Sequence, residues 1–187
     1  SASEEMDKNQ ITYFVSLNNY PNTSFEGTLA ASKLEPRIIP FTSADFGTDP
    51  WEIRDTMEQD IVCGAKGLYI HPQLQNIRFA NGRSRAAIEV FDNVGLPVVL
   101  HFGLNDCYYH QNSKYAKDTP SEYGAFSFVE NIVSKYPDCK FVLTHSSIIA
   151  EDELDVMMSS AKANKWKNVY VVTSYKNAET IKKLVDC

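Results

Sequence analysis

The stretch LPVVLHFG, residues 96–103, sets five apolar residues in a row from Leu96 to Leu100 and then stops on His101. A continuous apolar run rich in β-branched residues suits a strand of a parallel sheet covered on both faces, whereas a half-exposed strand would alternate. The imidazole that closes the run is then carried to the carboxyl edge of the sheet, which is where parallel α/β folds build their sites.

Working outward from this run, five further segments have the same character: ITYFVSL (11–17), RIIPFTS (37–43), GLYIH (67–71), KFVLTH (140–145) and NVYVVTS (168–174). Between them lie stretches with helical spacing. DPWEIRDTMEQDIVCG (49–64) offers Asp49 as N-cap, Pro50 at the first helical position and Gly64 as its stop,. SRAAIEVFDNVG (84–95), SEYGAFSFVENIVSKYP (121–137), EDELDVMMSSAKANK (151–165) and KNAETIKKLVDC (176–187) follow. In EDELDVMMSSAKANK, Leu154, Met157 and Met158 read as the buried face of a helix,. Strand and helix alternate throughout, which implies right-handed βαβ crossovers and a parallel sheet, either open or closed into a barrel. No G-x-G-x-x-G or P-loop is present, so the nucleotide-binding open sheets lose their signature and the barrel gains. Each strand–helix unit takes roughly 31 residues, the usual βαβ length, whereas eight units occupy about 250. The expectation is an incomplete (β/α)8 barrel of six parallel strands with flanking helices, residues 1–187 forming one domain truncated at both ends.

Composition narrows the function. The chain of 187 residues is 43% hydrophobic and 22% charged, with a formal net charge of -6, which describes an ordinary globular protein. The acidic balance, without a Lys/Arg cluster, argues against nucleic acid as a partner. No apolar run approaches the roughly 20 residues that span a bilayer, and SASEEMDKNQ at the start lacks the basic and apolar regions of a signal peptide. Cys63, Cys107, Cys139 and Cys187 are widely spaced and form no C-x-x-C pair, so they read as reduced thiols of a cytoplasmic protein.

Three of the four histidines, His71, His101 and His145, close predicted strands. One such residue alone could simply satisfy a backbone carbonyl; three on one rim point to a site, since neutral imidazole serves both as metal ligand and as proton carrier. His110 belongs to the aromatic, polar segment 102–120 with Tyr108, Tyr109 and Tyr115, which reads as a solvated excursion with a lid as the alternative. Asp45 and Asp106 are turn formers first and rim carboxylates second. Ser174 and Tyr175 end the last strand, where they could touch substrate.

GAKGLYIHP, LPVVLHFG, YPDCKFVLTHSS and KNVYVVTSY together resemble the fourth to seventh strands of the amidohydrolase-related, metal-dependent TIM-barrel hydrolases, a group that includes decarboxylases of aromatic or unsaturated acids. The resemblance runs in order over nearly the whole chain. It implies a TIM-type barrel entered at its second strand and left at its seventh helix, with a divalent metal, zinc first among candidates, and a small-molecule carboxylate or amide as substrate. By the same resemblance His101 would be the metal ligand or proton carrier. His145 would bind a second metal or contact substrate, and His71 would face substrate; the hypotheses built on this are His101 as metal ligand and His145 as catalytic acid/base, with Tyr175 a substrate contact from its place at the end of the last strand. The chain departs from the pattern in having no H-x-H pair, in ending at Cys187 where an eighth strand would begin, and in placing Ser146 and Ser147 where glycines are common. One surviving ligand cannot hold a catalytic zinc, which takes about three. The alternative implied is therefore a catalytically inactive barrel remnant that binds a small molecule or a protein. An open flavodoxin-like domain ranks below both. Two absent strands would bare two sheet edges, to be covered by a partner such as a second copy of the chain, by a rearranged terminus, or by sequence of the natural protein outside these 187 residues,.

Overall fold

A computed structural model describes residues 1–102, 121–144, 151–174 and 177–186. All six anticipated strands form: β1 (Phe14–Leu17), β2 (Ile38–Phe41), β3 (Leu68–Ile70), β4 (Val98–His101), β5 (Phe141–Thr144) and β6 (Val169–Val171). Every pairing is parallel, and the strands lie side by side in chain order, β1 on β2 and β3 through β6 in sequence. The two groups meet through a bridge between Thr42 and Leu68, backed by hydrogen bonds from Thr42 N–H to the Gly67 carbonyl (2.9 Å) and from Tyr69 N–H to the Thr42 carbonyl (2.8 Å). Because the order never reverses, right-handed crossovers put the helices on one side of the sheet and curl the other side inward. The fold is an incomplete TIM-type barrel. Among the described residues its outer strands, β1 and β6, do not pair with each other.

The helices are α1 (Ala2–Lys8), α2 (Phe25–Leu34), α3 (Pro50–Cys63), α4 (Pro72–Gln75), α5 (Gly82–Asn93), α6 (Phe126–Lys135), α7 (Glu151–Asn164) and α8 (Ala178–Val185). In α3 the signals work as read: Asp49 and Glu52 form a capping box, Pro50 opens the helix, and Gly64 closes it at φ 124°, a conformation that costs glycine little. Segment 121–137 splits into a 3₁₀ turn (Ser121–Gly124) and α6. Three helices were not anticipated. In α1 Ser1 and Glu4 form a capping box, so the polar start of the chain is helical. In α2 the Ser24 hydroxyl accepts from Gly27 N–H. The third, α4, follows β3 directly.

Alternation along each strand divides the apolar runs between two cores. Leu68, Ile70, Val98, Leu100, Phe141 and Leu143 pack outward against Ile53, Met57, Phe91, Val129, Ile132, Leu154 and Met157 of the helices, and this is the main core. Phe41, Tyr69 and Val99, with Ile39 and Val142, fill a smaller inward cluster. One expectation needs correction. The run around β1 was read as covered on both faces, yet Phe14 is 49% exposed and Val15 43%, because β1 has a neighbour on one side only.

A half-buried carboxylate, Asp60 of α3, lies against β2, where the fully buried Thr42 donates its hydroxyl to it. Burial pushes the Asp60 carboxyl above its ordinary range; the Thr42 bond opposes the shift, and nearby Glu26 adds to it. A raised acid stabilises the fold most below its unfolded pKa, near 3.8, and that contribution is lost as pH rises through the folded value. Asp60→Asn keeps an oxygen for Thr42 and removes the charge. It should stabilise the fold at pH 7, by no more than about 1 kcal/mol after solvent screening, and make no difference at pH 3. Melting curves at the two pH values check this.

Candidate functional site

The carboxyl ends of β3 and β4 bring two histidines together. In β4, Val98 and Leu100 point to the helices while Val99 and His101 point inward, so His101 stands one layer above Val99, at the barrel mouth. In β3, Tyr69 pairs with Val99 and lies inward, and His71, two residues on, follows it. The dipeptide His71–Pro72 sets this end. A residue before proline is pushed out of the helical region; His71 accordingly is extended (φ -118°, ψ 94°), and Pro72 opens α4,. His71 caps α4 with its ring: Leu74 N–H donates to Nδ1 at 3.3 Å. Gln75, at the other end of this short helix, ties the rim together. Its Oε1 accepts from His71 N–H at 2.8 Å, and its Nε2 donates to Ser43 Oγ at 2.8 Å and to the Ala44 carbonyl at 3.0 Å.

The two imidazoles are stacked, with ring centroids 3.6 Å apart and planes 18° from parallel. They are 1% and 2% exposed. Tyr69 reaches up from the inward cluster, its Oη 3.2 Å from His101 Nδ1, and meets the edge of the His71 ring at 6.2 Å and 85°. On the far side of His101, Thr144 is its register partner on β5 and is buried. Farther round the rim, Asp45 forms the turn the sequence suggested, accepting from Gly47 N–H at 2.8 Å. It also holds Tyr20: the hydrogen bond to Asp45 pushes the Tyr20 phenol above its ordinary value.

Of the sequence-derived candidates, His71 and His101 therefore meet. His145 and Tyr175 lie outside the described residues, as do Asp106 and the aromatic segment with His110. Ser174 is exposed on a turn after β6. Tyr69, Gln75, Ser43 and Thr144 were not singled out from sequence. Tyr69 could have been, because period-two spacing places a residue two before His71 on the same face as that histidine.

The metal that the sequence resemblance implies can be tested against this geometry. A ligating imidazole holds its ion in the ring plane, along the nitrogen lone pair, at about 2.0–2.1 Å. Two nearly parallel rings separated by 3.6 Å share no such point: an ion between them would lie roughly 2 Å out of both planes. His71 also commits Nδ1 to Leu74. Among the described residues no three His, Cys, Asp or Glu side chains converge as a metal site. The stacked pair does not fit a shared ion, and the described residues do not by themselves supply a centre. What the arrangement can do is hold a proton, move one, and offer hydrogen bonds in a site shielded from water.

The amidohydrolase family model matches residues 18–182. Among solved structures the chain is similar to an uncharacterised TIM-barrel protein from Bordetella bronchiseptica, with TM-score 0.72 and 16% identity over 91% of this chain and 57% of that one. It is also similar to 5-carboxyvanillate decarboxylase from Sphingomonas paucimobilis (TM-score 0.67, 13% identity, 98% and 67% covered). A third likeness is to 2,6-dihydroxybenzoate decarboxylase from Rhizobium (TM-score 0.66, 13% identity, 99% and 72% covered). The chain thus spans 57–72% of the length of these proteins, and at such identities the likeness is one of fold. No curated protein matches, and no helix among the described residues is long and apolar enough to cross a membrane.

Proposed function

Because this chain belongs to the amidohydrolase family, we propose that its barrel mouth carries out hydrolysis or non-oxidative decarboxylation of a small carboxylate or amide. The observation that carries the reading is the buried His71–His101 stack at the ends of adjacent strands, a placement that serves chemistry better than stability. His101 is the working group, holding a proton or contributing to a divalent metal. His71 contacts the substrate side of the mouth. His145 as general acid/base and Tyr175 as substrate contact, both assigned from their places in the sequence, complete the reading.

Decarboxylation of an aromatic acid replaces a carboxylate by a proton on the same carbon. A ring that can hold and deliver a proton in a dry pocket is the group that step needs. The substrates in the names of two similar structures, 2,6-dihydroxybenzoate and 5-carboxyvanillate, are the first probes, beside simple amides. Turnover of at least one class above the uncatalysed rate is expected, measured as carbon dioxide or amine released. Metal analysis of the same protein supplies the second arm. Divalent metal near one per chain, lost in His101→Ala and retained in His71→Asn, supports His101 as a ligand.

A second reading has an observation in its favour. The 187 residues carry no H-x-H pair, the departure from the family pattern that raises the alternative of a barrel remnant that only binds a small molecule or a protein. Binding of the acids above by calorimetry, with no turnover and no stoichiometric metal, would decide for it.

A further inference from the structure

Resting on the reading of the barrel mouth as the site for a small carboxylate, we infer that Ser43 is a substrate-binding residue: its hydroxyl donates a hydrogen bond to a carboxylate oxygen of the bound acid. Alternation past the end of β2 sets its direction. Thr42, bridged to Leu68 of β3, turns its hydroxyl outward to Asp60 of α3, and Phe41 belongs to the inward cluster. Ser43 therefore stands one layer above Phe41 on the inward face, as His101 stands above Val99, and it is 6% exposed.

A hydroxyl can donate or accept, and here its neighbours decide. Gln75 Oε1 accepts from His71 N–H at 2.8 Å, and its Nε2 donates to the Ala44 carbonyl at 3.0 Å. A backbone N–H only donates and a backbone carbonyl only accepts. The amide of Gln75 thus has one allowed orientation, since turning it over would set donor against donor and acceptor against acceptor. Nε2 carries two protons. One goes to the Ala44 carbonyl and the other to Ser43 Oγ at 2.8 Å, so toward Gln75 the hydroxyl accepts. Its own proton points elsewhere, and among the described residues no acceptor takes it.

A donor preset in this way on the inward side of the strand ends recognises a group that only accepts. A carboxylate oxygen is such a group, and its charge strengthens the bond beyond that between neutral partners. Because the hydroxyl already has its role before the acid arrives, binding does not have to reorder it. Gln75 is the positioning residue: it acts through Ser43, by holding the lone pair of Oγ to itself and leaving the proton for the mouth.

Two measurements on the full chain test this. Without ligand, the side-chain amide protons of Gln75 are identified in a nitrogen–proton NMR spectrum by the pair of signals missing from Gln75→Leu. Ser43→Ala should shift one of the pair upfield and leave the other in place; a spectrum in which neither moves overturns the donor role. With ligand, calorimetry reads the binding of 2,6-dihydroxybenzoate and 5-carboxyvanillate. The wild type should bind at least one of them, and Ser43→Ala should bind it about 10–100-fold more weakly, the range for a hydrogen bond to a charged group. Ser43→Cys, which offers a weaker donor on the same stem, should fall between the two. Equal affinities in wild type and Ser43→Ala overturn the inference, and a wild type that binds neither acid overturns it without needing any variant to fold. An acid bound through Ser43 and left unreacted ends the proposed reaction and keeps this assignment, whereas turnover unaffected by Ser43→Ala ends this assignment and keeps the reaction.

Discussion

His101→Ala is expected to lower kcat/KM by about 10²–10⁴-fold, the range that a positioned proton-transfer group supplies, while the protein stays folded. The side chain is 2% exposed, but it belongs to the mouth and not to the main core. Val98 and Leu100 make the outward packing of β4, and alanine leaves them untouched. The hole left under the strand ends is bounded by His71, Tyr69 and Thr144, all polar, so water can fill it. The measurements are steady-state kinetics on whichever acid or amide the wild type turns over, and far-ultraviolet circular dichroism on the same samples. His71→Asn is the control, because asparagine can still accept from Leu74 N–H while the stack is lost. It should cost less than His101→Ala. Equal rates for His101→Ala and wild type would remove the histidine from the chemistry.

Gly67→Ala is expected to destabilise the fold by about 3 kcal/mol, at the upper end of what one inserted carbon costs a packed interior. The position looks innocuous in sequence, a glycine leading into β3. In the fold its α-carbon faces the ring of Phe41 on the neighbouring strand, and a Cβ there would overlap Cε2 and Cζ of that ring. Phe41 is 5% exposed and packs on Tyr69 and Val99, so it cannot turn away without opening the inward cluster. The Gly67 carbonyl meanwhile accepts from Thr42 N–H, which prevents β3 from sliding off β2. For a chain of this size the melting temperature should drop by about 6–12 °C. Phe41→Leu shortens the ring that is struck, and the double variant should be more stable than Gly67→Ala alone. A double-mutant cycle by chemical denaturation reads the coupling; strictly additive losses would mean that the two residues do not collide.

Much of this was legible in the chain. Six apolar runs became six strands, offset by a few residues at their ends; for β3, β4 and β5 the reason is that a strand covered on both sides must be apolar along its whole length. Asp49, Pro50 and Gly64 marked α3 through local chemistry alone: a cap, a preset φ, and a residue free to take a positive one,. Leu154 and Met157 are buried as read. The helices that escaped notice show where such signals thin out. Phe25–Leu34 carries Gly27 and a run of small residues, so its period is faint. The polar α1 announced itself only by Ser1 and Glu4 at capping-box spacing,.

The sequence by itself determined the class of fold, the order of its strands and the arrival of His71 and His101 at strand ends, since these depend on the spacing of apolar residues and on local backbone preference. It did not contain the stack, the Tyr69 contact beneath His101, or the bareness of β1. Each of those depends on register between strands far apart in the chain and on which side of a strand has a neighbour, and both are settled only when the sheet assembles. A run such as LPVVLHFG reads as uniformly buried either way. Pairing with β3 and β5 is what turned Val98 and Leu100 to the helices and left the imidazole of His101 facing another imidazole across 3.6 Å.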